Sequence, residues 1–319
     1  MSKIYESISE LVGKTPLVRV KNYEKENGLK AKILVKLEYL NPAGSIKDRT
    51  ALGMIEAAEK QGKITPGKSL IVESTSGNTG IALAAFAAAK GYNFRCYVQD
   101  GVSKERLQVM RAFGAEVHSF SSVPEYAAVK DEVGDDFIAV AHIIKESVLK
   151  KEPHAFFVDQ DSNPVNPKTH YETTAQEIFD DTEGDVDAFV ACTGTGGTAT
   201  GVGKFFREKK PSAKIVAVQP QVDEGKITGV HNFTEVPSEF VPKVLDKSYF
   251  DEIVSTRYED SKNAAQQLAK TEGILVGISS GAALWTATEL AKKSEFFGKT
   301  IVVILADTGL RYLSTNLFE

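Results

Sequence analysis

A lysine at the mouth of a helix is the side chain in this sequence best placed to attack a carbonyl. Lys47 follows the turn Asn41-Pro42-Ala43-Gly44-Ser45-Ile46 and leads into Asp48-Arg49. From there Ala51, Met54, Ile55 and Ala58 recur at three- and four-residue spacing through Asp48 to Gly62, which is the period of one apolar helix face. Unpaired backbone N–H groups at a helix entrance carry partial positive charge, disfavour an ammonium there by roughly 0.3–1 kcal/mol and lower its pKa. Only a neutral amine adds to a carbonyl, so the placement suits a Schiff-base nucleophile. The plain alternative is a solvated surface lysine beside a capping Asp48. Other motifs must decide between the two.

Three loops bear on that choice, each read as joining a strand to a helix. Glu73-Ser74-Thr75-Ser76-Gly77-Asn78-Thr79-Gly80 gathers hydroxyls, an amide and backbone N–H groups at a helix start, a place built for an anion. Its many neutral donors and only two glycines suit a carboxylate better than a phosphate, although Ser, Thr and Asn also make ordinary caps. Thr193-Gly194-Thr195-Gly196-Gly197-Thr198 reads as a phosphate cradle, in which glycines let the backbone approach an oxyanion and threonines add donors. Gly194, Gly196 and Ala199 also fit a dinucleotide fingerprint, but the next strand ends in Gln219-Pro220 without the acidic residue that grips a ribose. A nucleoside-triphosphate loop would need a Gly-Lys-hydroxyl triplet that does not follow. A monophosphate is the simplest ligand. In Gly277-Ile278-Ser279-Ser280-Gly281-Ala282-Ala283, a serine hydroxyl could serve a neutral ring nitrogen or act as a plain N-cap. Lysine, carboxylate loop, phosphate cup and serine together match pyridoxal 5′-phosphate, which has an aldehyde, a phosphate and a ring nitrogen.

The elements that must position these groups alternate along the chain. Leu70–Glu73, Phe94–Gln99, Ala115–Phe120, Ala155–Val158, Ala188–Cys192, Ile215–Val218, Ile274–Ile278 and Ile301–Leu305 read as strands. Helices are expected at Thr79–Lys90, Lys104–Phe113, Tyr171–Phe179, Thr198–Lys209 and Ala282–Lys293. This predicts an α/β protein whose mostly parallel sheets are flanked by helices, with active loops at strand ends. Two segments are less regular: Ser121–Glu152, interrupted at Gly134-Asp135-Asp136, and Gln221–Asp251. At 319 residues and 42% hydrophobic content, two lobes are expected rather than one.

A net charge of −5 leaves no basic footprint for nucleic acid. The first residues, with Lys3, Glu6 and Glu10, contain no apolar run suited to a leader or a membrane span, so the cytoplasm is the expected location. Cys96 and Cys192 lie in apolar, strand-like runs and are expected to be core thiols. His118, His142, His154, His170 and His231 have no metal-ligand spacing, and Trp285 reads as core or interface.

Asn41 to Arg49, Thr75 to Gly80, Gly194 to Thr198 and Gly277 to Ala283, in that order, resemble the cysteine synthase (O-acetylserine sulfhydrylase) family of the type II pyridoxal-phosphate fold. The likeness runs from Thr15-Pro16-Leu17-Val18 to Arg311-Tyr312-Leu313-Ser314-Thr315. It implies two lobes: a smaller mobile one over 44–151, and a larger one of 1–43 plus 152–319 that carries the phosphate cup and the ring-nitrogen partner. It implies that Lys47 forms the Schiff base and then acts as base at the substrate Cα, and that Asn78 bonds the cofactor's ring hydroxyl. Thr75, Ser76, Gly77, Asn78 and Thr79, with Gln160, would bind the substrate carboxylate, Ser76 belonging also to the catalytic set. Gly194, Thr195, Gly196, Gly197 and Thr198 would hold the phosphate, and Ser279 the ring nitrogen. A neutral serine there favours expulsion of a leaving group from Cβ, through an aminoacrylate to which a nucleophile adds, with the smaller lobe closing over the site. A homodimer with small-molecule substrates is the expected assembly.

Departures from the family pattern qualify the expected chemistry. Lys226-Ile227-Thr228-Gly229-Val230, in a short segment between Pro220 and Phe240, resembles B-type members that accept bulkier sulfur nucleophiles such as thiosulfate. Lys14 stands where the family has an asparagine. Asp161 follows Gln160 where the family has an aromatic residue. A carboxylate there would repel sulfide or thiosulfate but could act as a base toward water or an amine, or it could be a turn residue before Ser162-Asn163-Pro164 facing solvent. Three readings follow: cysteine synthesis from O-acetylserine or a related donor; another β-replacement or elimination, such as sulfide release from cysteine, with Asp161 as a catalytic residue; and a weakly catalytic scaffold that binds a partner's C-terminal peptide.

Overall fold

The computed structural model describes residues 4–100, 102, 104–133, 137–222, 224–238 and 241–319. Lys3, Phe240 and the Gly134-Asp135-Asp136 interruption lie outside the described residues. In chain order the strands are β1 (Leu17–Arg19), β2 (Lys32–Leu37), β3 (Leu70–Ser74), β4 (Asn93–Val98), β5 (Glu116–Ser119), β6 (Phe156–Phe157), β7 (Ala188–Cys192), β8 (Lys214–Pro220), β9 (Glu252–Thr256) and β10 (Thr300–Leu305). The α-helices are α1 (Lys21–Glu26), α2 (Lys47–Lys60), α3 (Asn78–Lys90), α4 (Lys104–Ala112), α5 (Pro124–Ala127), α6 (Lys130–Val133), α7 (Phe137–Lys151), α8 (Val165–Thr169), α9 (Gln176–Asp181), α10 (Gly197–Lys209), α11 (Tyr258–Glu272) and α12 (Ile278–Lys292). A π-helical turn, His170–Ala175, joins α8 to α9.

Contacts group the chain into two compact units. One contains Met1–Val12, Lys47–Val165 and Ser238–Pro242; the other contains Gly13–Ile46, Asn166–Pro237 and Lys243–Glu319. The first unit holds a four-stranded sheet in the order β5-β4-β3-β6, all parallel. Its α2 buries Ala51, Met54, Ile55 and Ala58, the stripe expected from the sequence, and full burial of Met54 and Ile55 contributes about 1.5–3 kcal/mol each. The alanine-rich α3 is buried from Thr79 to Ala87 and stops at Gly91, whose φ of 74° is the left-handed cap that glycine adopts without strain.

The second unit holds a six-stranded sheet, β1-β2-β10-β7-β8-β9, parallel except for the antiparallel edge pair β1–β2. Every residue of β10 and the interior of β8 are buried, as expected for parallel strands covered on both faces. Ile274–Ile278 is not a strand. Only Val276 makes an isolated bridge, to Thr308, and α12 begins at Ile278. β-branched residues favour a pleated strand, but here that stretch is a crossing segment in the core. The sequence reading also passed over β1, β2 and β9, whose alternation is weak. Among the described residues no helix is long and apolar enough to cross a membrane.

Candidate active site

Within the second unit, buried side chains brace the turn that precedes Lys47. Thr15 Oγ1 donates to Glu38 Oε1 (2.6 Å), Asn41 Nδ2 donates to Glu38 Oε2 (2.9 Å), and Gly13 N donates to Asn41 Oδ1 (2.8 Å). Lys14 has φ 51°, a left-handed conformation in which asparagine is enriched. Gly44 has φ 85°, and a β-carbon there would lie 2.9 Å from Arg311 Nη2. Ile46 N donates to Ala306 O (2.8 Å), and Ser45 bridges Asp307.

In the first unit Lys47 is the opening residue of α2 and is partly buried. Burial lowers its pKa, and the opposing influence is the negative charge of Asp161, which raises it. Desolvation, which only the packed structure reveals, is the first cause of the lowering. The carboxylate-loop residues lie in the same unit. Asn78 opens α3 and Gly77 precedes it; Gly77 N donates to Thr75 Oγ1 (3.5 Å). Ser76 Oγ accepts from Gln99 N (2.7 Å), which leaves its hydroxyl hydrogen as the group it can offer a ligand. Thr75 and Thr79 are buried. Thr79 Oγ1 donates to Gln160 Oε1 (2.7 Å), bringing Gln160 to this loop across 81 positions of sequence.

Asp161 belongs to the turn that carries Gln160 and is partly buried rather than open to solvent. Burial pushes its carboxyl up to about 6, Lys47 draws it down and Asp159 raises it further. The residue that sequence reasoning left without a role is Glu73, only 2% exposed. Its Oε1 accepts from Ser74 N (2.7 Å) and its Oε2 from Gln160 N (3.1 Å). Burial pushes its pKa up to about 8, opposed by those N–H groups and reinforced by Asp161 and Asp159. A carboxylate ending an otherwise apolar strand run, Leu70–Val72, was the available signal.

In the second unit Thr193–Thr198 joins β7 to α10. Gly196 has φ 82°, and Gly197 N, at the helix start, donates to Thr195 Oγ1 (3.2 Å). The glycines let the loop lie against its own backing: a β-carbon on Gly194 would approach Gly229 O at 2.6 Å, and those on Gly196 and Gly197 would collide with Leu245 and Asn166. Asn166 Nδ2 donates to Thr195 Oγ1 (3.0 Å), and His170 Nε2 lies 3.1 Å from Thr198 Oγ1 while its Nδ1 lies 2.9 Å from Thr174 Oγ1. His170 carried no metal spacing; its signal was a threonine four residues on, across a turn of the π-helix, a form frequent at functional sites. Ser279 is in the first turn of α12, and Gly277 caps that helix without a side chain. Cys192 Sγ donates to Ser279 O (3.0 Å), bringing Ser279 beside the strand that feeds the glycine loop.

A family profile described as pyridoxal-phosphate-dependent enzyme matches residues 8–307. The chain belongs to the pyridoxal-phosphate-dependent enzymes. A curated cysteine synthase of Staphylococcus aureus is 41% identical over 322 residues, spanning 99% of this chain and 98% of that protein. The crystal structure of O-ureido-L-serine synthase is similar with a TM-score of 0.86 at 37% identity, covering 99% of this chain and 95% of the other. A hydrogen sulfide-producing enzyme from Fusobacterium nucleatum gives 0.85 at 37% identity, covering 98% and 99%.

Pyridoxal 5′-phosphate is the cofactor, and the residues present fit it. Burial lowers the pKa of Lys47, the direction that suits an amine condensing with an aldehyde. An anion suits the start of α10, where Thr195 and Thr198 are held by Asn166 and His170.

Proposed function

We propose that this enzyme replaces a leaving group on Cβ of an amino acid with a small nucleophile, most simply as a cysteine synthase using O-acetylserine or a related donor with sulfide or thiosulfate. The observation that carries the reading is the partly buried Lys47, with its lowered pKa, in the same unit as the Thr75–Thr79 loop and its Gln160 partner. The cofactor, when bound, supplies an aldehyde for amines and a sink for the electron pair at Cα. Thr75, Ser76, Gly77, Asn78 and Thr79, with Gln160, bind the substrate carboxylate, and Ser76 offers its hydroxyl hydrogen near the reacting carbons. Asn78 also orients the cofactor's ring hydroxyl, residues 194–198 hold its phosphate, and Ser279 faces its ring nitrogen. Lys47 Nζ takes the Cα proton, the bond from Cβ to the leaving group breaks with its electron pair, and the nucleophile's lone pair forms the new bond at Cβ. Lys47 then returns the proton to Cα.

A second reading is favoured by Asp161. A carboxyl group held near pKa 6 beside Lys47 can accept a proton from water or an amine as it attacks, which would turn cysteine into a donor that releases sulfide. Assaying O-acetylserine plus sulfide against cysteine alone, in the native enzyme and in Asp161→Phe, separates the readings. Cysteine formation that survives in the variant supports synthesis. Absent cysteine formation, with sulfide release that collapses in the variant, overturns it. A homodimer in the cytoplasm completes the proposal, and sedimentation of the holoenzyme checks the dimer.

A further inference from the structure

We propose that Glu73 is a positioning residue that clasps the substrate-carboxylate loop to the turn bearing Gln160 and Asp161; the proposal rests on the β-replacement reading above. Val158 N donates to Val72 O (2.9 Å), the last rung between β3 and the chain leaving β6. Asp159, with φ 58°, then turns the chain over the end of β3. The turn closes on itself through Ser162 N and Asn163 N, both donating to Asp159 O (3.0 and 2.8 Å), and Lys145 Nζ holds Asp159 Oδ2 from the far side (2.5 Å).

Glu73 supplies the link in the other direction. One oxygen takes the N–H of Ser74, where the strand becomes the loop, and the other takes the N–H of Gln160. Gln160 in turn receives the hydroxyl of Thr79, so strand end, loop, helix start and turn form one closed circuit. Above about pH 8, where it is ionised, a carboxyl group of this length offers two acceptor oxygens. Glutamine would turn an NH₂ group onto one of the two N–H donors, and aspartate is one methylene too short. Both donors are main-chain groups in a buried setting, where losing an acceptor is costly.

Holoenzyme of the native chain, Glu73→Gln and Glu73→Asp tests the clasp by two measurements at pH 9, where Glu73 is ionised. One is calorimetric binding of L-alanine, an amino acid without a leaving group. The other is hydrogen exchange at the Gln160 amide, read without any turnover. The proposal expects L-alanine affinity to fall tenfold or more in Glu73→Gln, Gln160 exchange to accelerate, and cofactor affinity to stay within twofold. Native L-alanine affinity in the variant, or native protection of Gln160, overturns it. A lower unfolding temperature with both readouts unchanged also overturns it, because that is a purely structural role. If the native holoenzyme binds no L-alanine, the β-replacement reading falls, and the Gln160 exchange decides the clasp alone.

Discussion

At the scale of single residues, one amine and three carboxyl groups of the same unit act on one another. Lys47 answers to Asp161, and Asp161 and Asp159 both press on Glu73. Lys47→Ala is expected to abolish the visible absorbance of covalently held cofactor and to slow product formation by about 10²–10⁴-fold, as for loss of a general base; absorbance and turnover of the reconstituted protein check it. Glu73 predicts a pH dependence with a definite sign. Its carboxyl titrates near 8 when folded and near 4.5 when unfolded, so between those values the unfolded chain sheds a proton that the folded chain keeps. Stability then declines with rising pH, by about 1.4 kcal/mol per pH unit for this group, and levels off above the folded value. Glu73→Gln removes that slope. The difference in denaturant midpoint should therefore move in the variant's favour from pH 5 to pH 8.

At the scale of elements, the loops between strands and helices were legible because their glycines and hydroxyl residues are local signals. Thr79–Lys90 and Thr198–Lys209 begin one residue earlier than the apolar periodicity indicates, at Asn78 and Gly197, since periodicity reports packing and not the first helical φ and ψ. Gly197, the first residue of α10, and Gly77, just before α3, stand at helix starts under different constraints. A β-carbon on Gly197 collides with the Asn166 side chain, while one on Gly77 meets nothing within 4 Å. Gly197→Ala is expected to cost about 1–3 kcal/mol through overpacking and to weaken cofactor binding. Gly77→Ala should stay within about 0.5 kcal/mol of the native stability. Thermal unfolding and cofactor titration by absorbance measure both.

At the scale of the whole molecule, the division read from the sequence, 44–151 against 1–43 plus 152–319, enters as a proposal about motion. L-Alanine binding is expected to change hydrogen exchange in 44–151 more than in the remainder; uniform protection would count against a distinct mobile lobe. The α/β class, the order of the loops and the identity of the cofactor were determined by the sequence alone, because each rests on short-range patterns of periodicity, glycines and hydroxyl residues. The strand assigned to Ile274–Ile278 failed because a buried apolar run looks the same whether it pairs or merely crosses the core. Tertiary structure alone decided the partnership of Glu73 with Gln160, of Thr79 with Gln160 and of His170 with Thr198, contacts spanning 87, 81 and 28 positions. It also supplied the principal cause of the lowered Lys47 pKa: desolvation depends on which atoms surround an amine, and no local pattern in a sequence encodes that.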